Sequence, residues 1–188
     1  VSLILLFFIL IILILSTVGI ETNKFNKLIS NKALQSKNID LKLSTIKFKI
    51  DPKELSLFLE TKNPVINFKD ITIPSESIKV YIDFLSLLEA QPNIKKINIV
   101  LKELDVVQLN NLSVVLKPSN FKSLLNNKIK QGKLISEIEI FLNKQSELEN
   151  FIARGSVKNL DVEVISGLNF SKTNLSFFAD KNDILIKN

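Results

Sequence analysis

The sequence predicts a mainly β fold: a transmembrane helix at the N-terminus, then an antiparallel sheet with one apolar face and two or three short helices. Three observations predict it. The first twenty residues, VSLILLFFILIILILSTVGI, carry no charge. From about residue 38 onward Ile, Leu, Val and Phe recur at every second position, the period of a half-buried strand. Two stretches break that period with the spacing and end signals of helices.

As a helix, residues 1–20 would rise about 30 Å, the thickness of a bilayer hydrocarbon core. Leu3, Leu6, Phe7, Phe8, Ile11, Leu15 and Ile20 are the expected anchor residues. The run is apolar on every side, unlike a core helix with a polar face. Leu3 to Leu15 also has the length of a secretory signal core, but Ser16-Thr17-Val18-Gly19-Ile20 lacks the small residues of a cleavage site. A retained anchor is therefore expected, with a cleaved signal as the alternative, and either sends the remainder across a membrane. Lys24, Lys27, Lys32 and Lys37 would by charge alone hold that side cytoplasmic, a rule that is weak for long domains. The chain starts at Val1, not Met, and NDILIKN at its other end reads as a strand cut off in mid-sheet. A fragment of a longer protein is expected.

Residues 21–37 form the second unit, an amphipathic helix and linker. Phe25, Leu28, Ile29 and Ala33 share helical spacing while Lys24, Lys27 and Lys32 lie elsewhere around the turn. Such a helix either lies along the bilayer surface or caps the sheet. Residues 38–188 are the third unit, a β-sheet domain expected to continue beyond the fragment. Ile39, Leu41 and Leu43 alternate with polar residues, and Ile46, Phe48 and Ile50 do so out of phase, so a bulge or turn falls at Ser44-Thr45. Asp51-Pro52-Lys53-Glu54 turns the chain, and Leu55, Leu57 and Leu59 complete a hairpin. The alternation returns at Ile71 and Ile73, at Ile78 to Ile82, at Ile97 to Leu101 and at Leu112 to Leu116. It continues at Leu134 to Leu142, Val157 to Val164, Leu175 and Phe177, and Ile184 and Ile186. Asp83 caps a short helix, Phe84 to Ala90, and Ser119 caps a second from Asn120 to about Lys130, with Gly132 just beyond it.

Composition restricts chemistry. The chain has no Cys, His, Trp or Met, one Tyr and one Arg, so carboxylates are the only common metal ligands left and the commonest general base is absent. No catalytic residue, metal site or cofactor is expected. Glu137 and Glu139 alternate on one strand face, which fits solvent exposure better than an acid/base pair. The net charge of +6 comes almost wholly from lysines scattered on alternate strand positions. They read as a solvated face rather than a nucleic-acid surface.

The order of elements, and DFLSLLEAQPNIKKINIVLKELDV in particular, resembles the opening of AsmA-like proteins, where D-x-L-x-L-L, a few residues and I-x-x-I-x-L lead into the first long strands. ENFIARGSVKNLDVEVISGLNFSKTNLSFFADKNDILIKN is similar to the sheet region of the YhdP and TamB-related branch, in which G-x-V-x-N-L opens a strand. The glycine that often follows the amphipathic helix there is replaced by Lys37-Asn38. The resemblance implies a single-pass protein of the bacterial inner membrane with its β domain in the periplasm. It also implies an elongated, twisted sheet whose concave apolar side forms a groove, and a part in moving phospholipid between inner and outer membranes. Leu41, Leu43, Phe48, Leu57, Ile82, Ile99, Leu101, Ile140, Val162, Phe177 and Ile186 are the candidate groove residues, with ordinary core packing as the alternative for each. Membrane phospholipids are the expected partners, with other envelope proteins behind them. An envelope scaffold or outer-membrane-protein assembly factor without lipid passage is the alternative function.

Overall fold

The computed structural model describes residues 2–22, 26, 30, 39–52, 56–68, 71–83, 86, 93–113, 122–123, 127–145, 147–165 and 167–187. Among them the chain is mainly β, a large antiparallel sheet with two short helices.

The apolar N-terminal run folds as α1, Ser2–Thr17. It stops where local chemistry stops it. The Ser16 and Thr17 hydroxyls donate back to the Leu13 carbonyl at 3.0 and 2.7 Å. The N–H groups of Val18 and Gly19 then converge on the Ile14 carbonyl. Gly19 has a φ of 76°, and a Cβ there would stand 2.7 Å from the Lys49 side chain, so only glycine makes this turn without strain. The chain passes directly into β1, Ile20–Thr22. The expected span over residues 1–20 is corrected accordingly: Ile20 is a strand residue opposite Phe48, and no helix among the described residues is long and apolar enough to cross a membrane.

The strands follow as β2 (Ile39–Lys42), β3 (Ile46–Asp51), β4 (Ser56–Lys62), β5 (Val65–Phe68), β6 (Ile71–Ile82), β7 (Ile94–Leu101) and β8 (Leu104–Asp105). After α2 (Val106–Ser113) come β9 (Ile129–Leu142), β10 (Leu148–Ile165), β11 (Leu168–Asp180) and β12 (Ile184–Lys187). The main path runs β1-β3-β4-β6-β7-β9-β10-β11-β12, with β2 and β5 added beside the first half of β6 and β8 beside β9. Every pairing is antiparallel. The phase change at Ser44-Thr45 is where the chain leaves one partner for another: β2 pairs with β5, whereas β3 pairs with β1 and β4. The expected hairpin around Asp51-Pro52 is present as β3–β4.

Two sequence expectations change. Leu112 is not in a strand but in α2, which Asp105 and Gln108 start with a reciprocal cap. The Gln108 N–H donates to Asp105 Oδ1 at 2.8 Å and the Asp105 N–H to Gln108 Oε1 at 3.0 Å. The helix expected to reach Lys130 ends sooner: Lys122, Ser123 and Asn127 are helical, but Ile129 and Lys130 already belong to β9. Asn26 and Ser30 are helical, and their side chains donate to the carbonyls of Ser44 and Leu41 at 2.8 and 2.7 Å. Phe25, Leu28, Ile29 and Ala33 lie outside the described residues, as does most of the expected helix Phe84–Ala90. Its Ser86 donates to the Asp83 carbonyl and accepts the Asn93 N–H, closing the link between β6 and β7.

Candidate functional site

Residues opposite each other in an antiparallel ladder point to the same side of the sheet. Followed from strand to strand, one register row reads Thr22, Ile46, Thr61, Ile78, Ile99, Ile138, Ala153, Ala179, Ile184. It crosses all nine strands of the main path. At about 4.8 Å per strand its eight steps cover roughly 38 Å. The neighbouring row on the same side is Ile20, Phe48, Leu59, Val80, Ile97, Ile140, Phe151. Leu57 opposite Ile82, and Phe177 opposite Gly155 and Ile186, add to that side. The apolar face is thus continuous from one edge strand to the other.

Bulges keep it continuous where the sequence changes phase. In β6, Ser75 faces Leu101 but Ser77 faces Val100, so one extra residue, Glu76, is absorbed. Ile73, Ile66 and Leu41, linked in register, are thereby returned to the side of Leu101. In β10 and β11 the extra residues are Asn159 and Lys172, with φ of 51° each. Each bulged N–H is held by a side chain of the other strand: Asn159 donates to Asn174 Oδ1 at 3.0 Å and Lys172 to Asp161 Oδ1 at 2.7 Å. The two insertions together leave Leu160, Val162 and Phe170 on the apolar side.

The other face is a charge ladder. Glu21, Lys47, Glu60, Lys79, Asn98 and Glu139 succeed one another across six strands. Lys47 pairs with Glu21 at 3.4 Å, Lys49 with Glu60 at 2.7 Å and Lys96 with Glu139 at 3.6 Å, while Arg154 also grips Glu139. Beside this row the rings of Phe58 and Tyr81 stack with centroids 5.2 Å apart, and Lys96 lies 4.2 Å over Tyr81. Glu137 accepts from the Asn98 amide. Glu137 and Glu139 are half-buried and engaged rather than solvent-exposed. Among the described residues no group of three or more carboxylates stands ready for a metal ion.

Exposure along the apolar face is uneven. Ile46 is 2% exposed and Leu57, Leu101 and Val162 are buried, whereas Leu41, Leu43, Phe48, Ile82, Ile99, Ile140 and Phe177 are half-buried. Leu43 lies between β2 and β3. Ile184 and Ile186 are 73% and 62% exposed. Of the anchor residues, Leu3, Leu6, Phe7, Phe8 and Ile20 are exposed; Ile11 and Leu15 are half-buried near the end of α1 that touches β3.

The β11–β12 turn that holds the exposed end depends on one carboxylate. Asp180 Oδ1 accepts the N–H groups of Asp183 and Asn182, both at 2.8 Å. These bonds, that of Asp183 first, hold its carboxyl below the usual range. A lowered folded pKa stabilises the turn above the ordinary aspartate value of about 4 and ceases to do so as pH falls through the lowered value. Protection of the Leu185 amide, taken as the intrinsic exchange rate at each pH divided by the observed rate, is expected to fall on acidification, and in Asp180→Ala to be low already at pH 7. Unchanged exchange in that variant would show that the turn does not depend on the carboxylate.

Comparison with protein-family models, with curated proteins and with solved structures finds no match to this chain.

Proposed function

We propose that this chain is a membrane-anchored protein of the bacterial inner membrane whose periplasmic sheet carries phospholipid acyl chains on its apolar face, as a component of transport between inner and outer membranes. The largely apolar register row across nine strands, backed over six of them by a ladder of charged and polar residues, is the observation that carries the reading. The exposed stretch of this face at Phe170, Ile184 and Ile186 is where a ligand or partner would first engage it, and each methylene taken from water onto it contributes about 0.8 kcal/mol. Headgroups would stay wet at the rim, and no bond needs to be made or broken, so no catalytic residue or cofactor enters. The AsmA-like pattern of the sequence supports the same reading. So does α1, nearly all of whose apolar side chains are exposed, a surface that contact with a membrane would cover.

The test is a photo-crosslinking amino acid placed in cells at Ile99, Ile140 or Ile186, with the exposed Lys42, Lys102 and Lys187 as controls. Phospholipid adducts are expected at the three isoleucine positions at least about tenfold above the lysine positions. Protein adducts without lipid on that face would replace the conduit with an envelope scaffold. Absence of any adduct at Ile99 and Ile140 would make that part of the face an ordinary core.

A further inference from the structure

The apolar face is not equally open along its length. Across β3, β4 and β6 it is shut, with Ile46, Leu57, Leu59 and Ile78 at 2%, 8%, 7% and 7% exposure. Along β11 it opens. Leu168, Phe170, Thr173, Leu175 and Phe177 follow one another on that side, the bulge at Lys172 keeping Phe170 and Thr173 in line. Leu175 and Phe177 are half-buried, whereas Phe170 and Leu168 are 47% and 49% exposed. Among the described residues β9 pairs with β10 no further than Val162, and the hairpin runs on past it to a turn at Gly167. That glycine has a φ of 86°, and a Cβ there would meet nothing within 4 Å. A strand laid beside β11 would pair in its plane and leave this side of it uncovered.

From Leu168 to Phe177 the strip measures roughly 26 Å at about 3.3 Å per residue, the bulged residue left out. One acyl chain reaches about 15 Å, half of a hydrocarbon core of about 30 Å, so the strip takes a whole tail. Positive charge gathers at the same end. Lys128, Lys130, Lys158 and Lys172 stand there against two carboxylates, Asp161 and Glu163. Glu163 is paired with Lys130 at 3.7 Å, and Asp161 Oδ1 accepts the Lys172 N–H. Lys158 and Lys172 are exposed, and Lys172 falls between Phe170 and Thr173 in the strip itself. We infer that the β10–β11 tip is where a phospholipid with an acidic headgroup comes onto the face, its tail running from Phe170 toward Phe177 and its phosphate among these lysines. The inference rests on the lipid reading and adds to it the place of entry and the class of headgroup.

The chain has no tryptophan, so Phe170→Trp gives the full chain a single indole at the tip, and Val107→Trp places one on α2, where Val107 is exposed away from the strip. In detergent micelles, phosphatidylglycerol brominated in its tails is expected to quench the indole at 170 at about a tenth of the concentration that brominated phosphatidylcholine needs. At 107 both lipids should quench weakly and alike. Lys158→Glu with Lys172→Glu should raise the phosphatidylglycerol concentration to that of phosphatidylcholine and leave the latter where it was. Quenching no stronger at 170 than at 107 would overturn the entry site. Equal quenching by the two lipids at 170, or a preference that survives the charge reversals, would overturn the acidic headgroup. Lipid adducts at Ile140 without quenching at 170 would remove this entry alone, whereas no adduct on the face and no quenching would remove the conduit with it.

Discussion

Gly155→Ala is expected to destabilise the sheet by about 3 kcal/mol or more, a fall of about 10 °C in Tm. A Cβ at residue 155 would stand 2.1 Å from the Ile135 carbonyl oxygen and 2.9 and 3.0 Å from the Phe177 ring. The ring belongs to a side chain and can turn away. The carbonyl belongs to β9, where Ile135 is paired with Ser156 of β10, so it can withdraw only if that ladder yields. The Phe177 ring covers the strip that the glycine leaves bare, the usual remedy for a glycine inside a strand. Phe177→Leu in the alanine background should therefore recover only a small part of the loss. Thermal unfolding followed by circular dichroism tests this: full recovery in the double variant would locate the whole clash in the ring, and an unchanged Tm for Gly155→Ala would deny the close approach.

Gly155, Asn159 and Asp161 lie in the stretch ARGSVKNLDV, which in sequence is merely one more alternating strand. Period-two spacing made β3, β4, β7, the later half of β9 and β12 legible, because a half-buried strand in a sheet with one polar face writes its two sides directly into the chain. It also grouped the apolar residues that the register later sets on one side. Spacing failed where the ladder itself changes phase. Ile71 and Ile73 look like a strand separate from Ile78 to Ile82, yet both lie on β6, and the bulge at Glu76 carries the shift. The short helix Val106–Ser113 was hidden by Val106, Val107 and a Leu112 that fits either period. Its signal was the Asp105-x-x-Gln108 capping box, which outweighs the β propensity of two valines at a helix start. The end of α1 was missed for a different reason. Hydropathy continues through Val18 and Ile20, but backbone geometry at Gly19 and the pairing of Ile20 with Phe48 do not follow hydropathy.

Phe7→Asp with Leu10→Asp is expected to release the chain from membranes. Both positions are exposed, near the middle of α1 and well before Gly19, which packs against Lys49 and Phe48. Each aspartate at a helix centre costs about 3 kcal/mol on insertion, so the pair costs about 6 kcal/mol, a fall of about 10⁴-fold in partition. The sheet should survive, because its main contact with α1 is through β3 and the substitutions avoid the half-buried Ile11 and Leu15. Flotation with phospholipid vesicles, with β-sheet content measured on the same sample, separates the two roles. Folded protein that no longer floats makes α1 the anchor and leaves the apolar face to act on lipid one molecule at a time. Folded protein that still floats would make the exposed face at β11 and β12 the membrane-binding surface, and a sheet lying flat on a bilayer cannot also be the path that leads away from it.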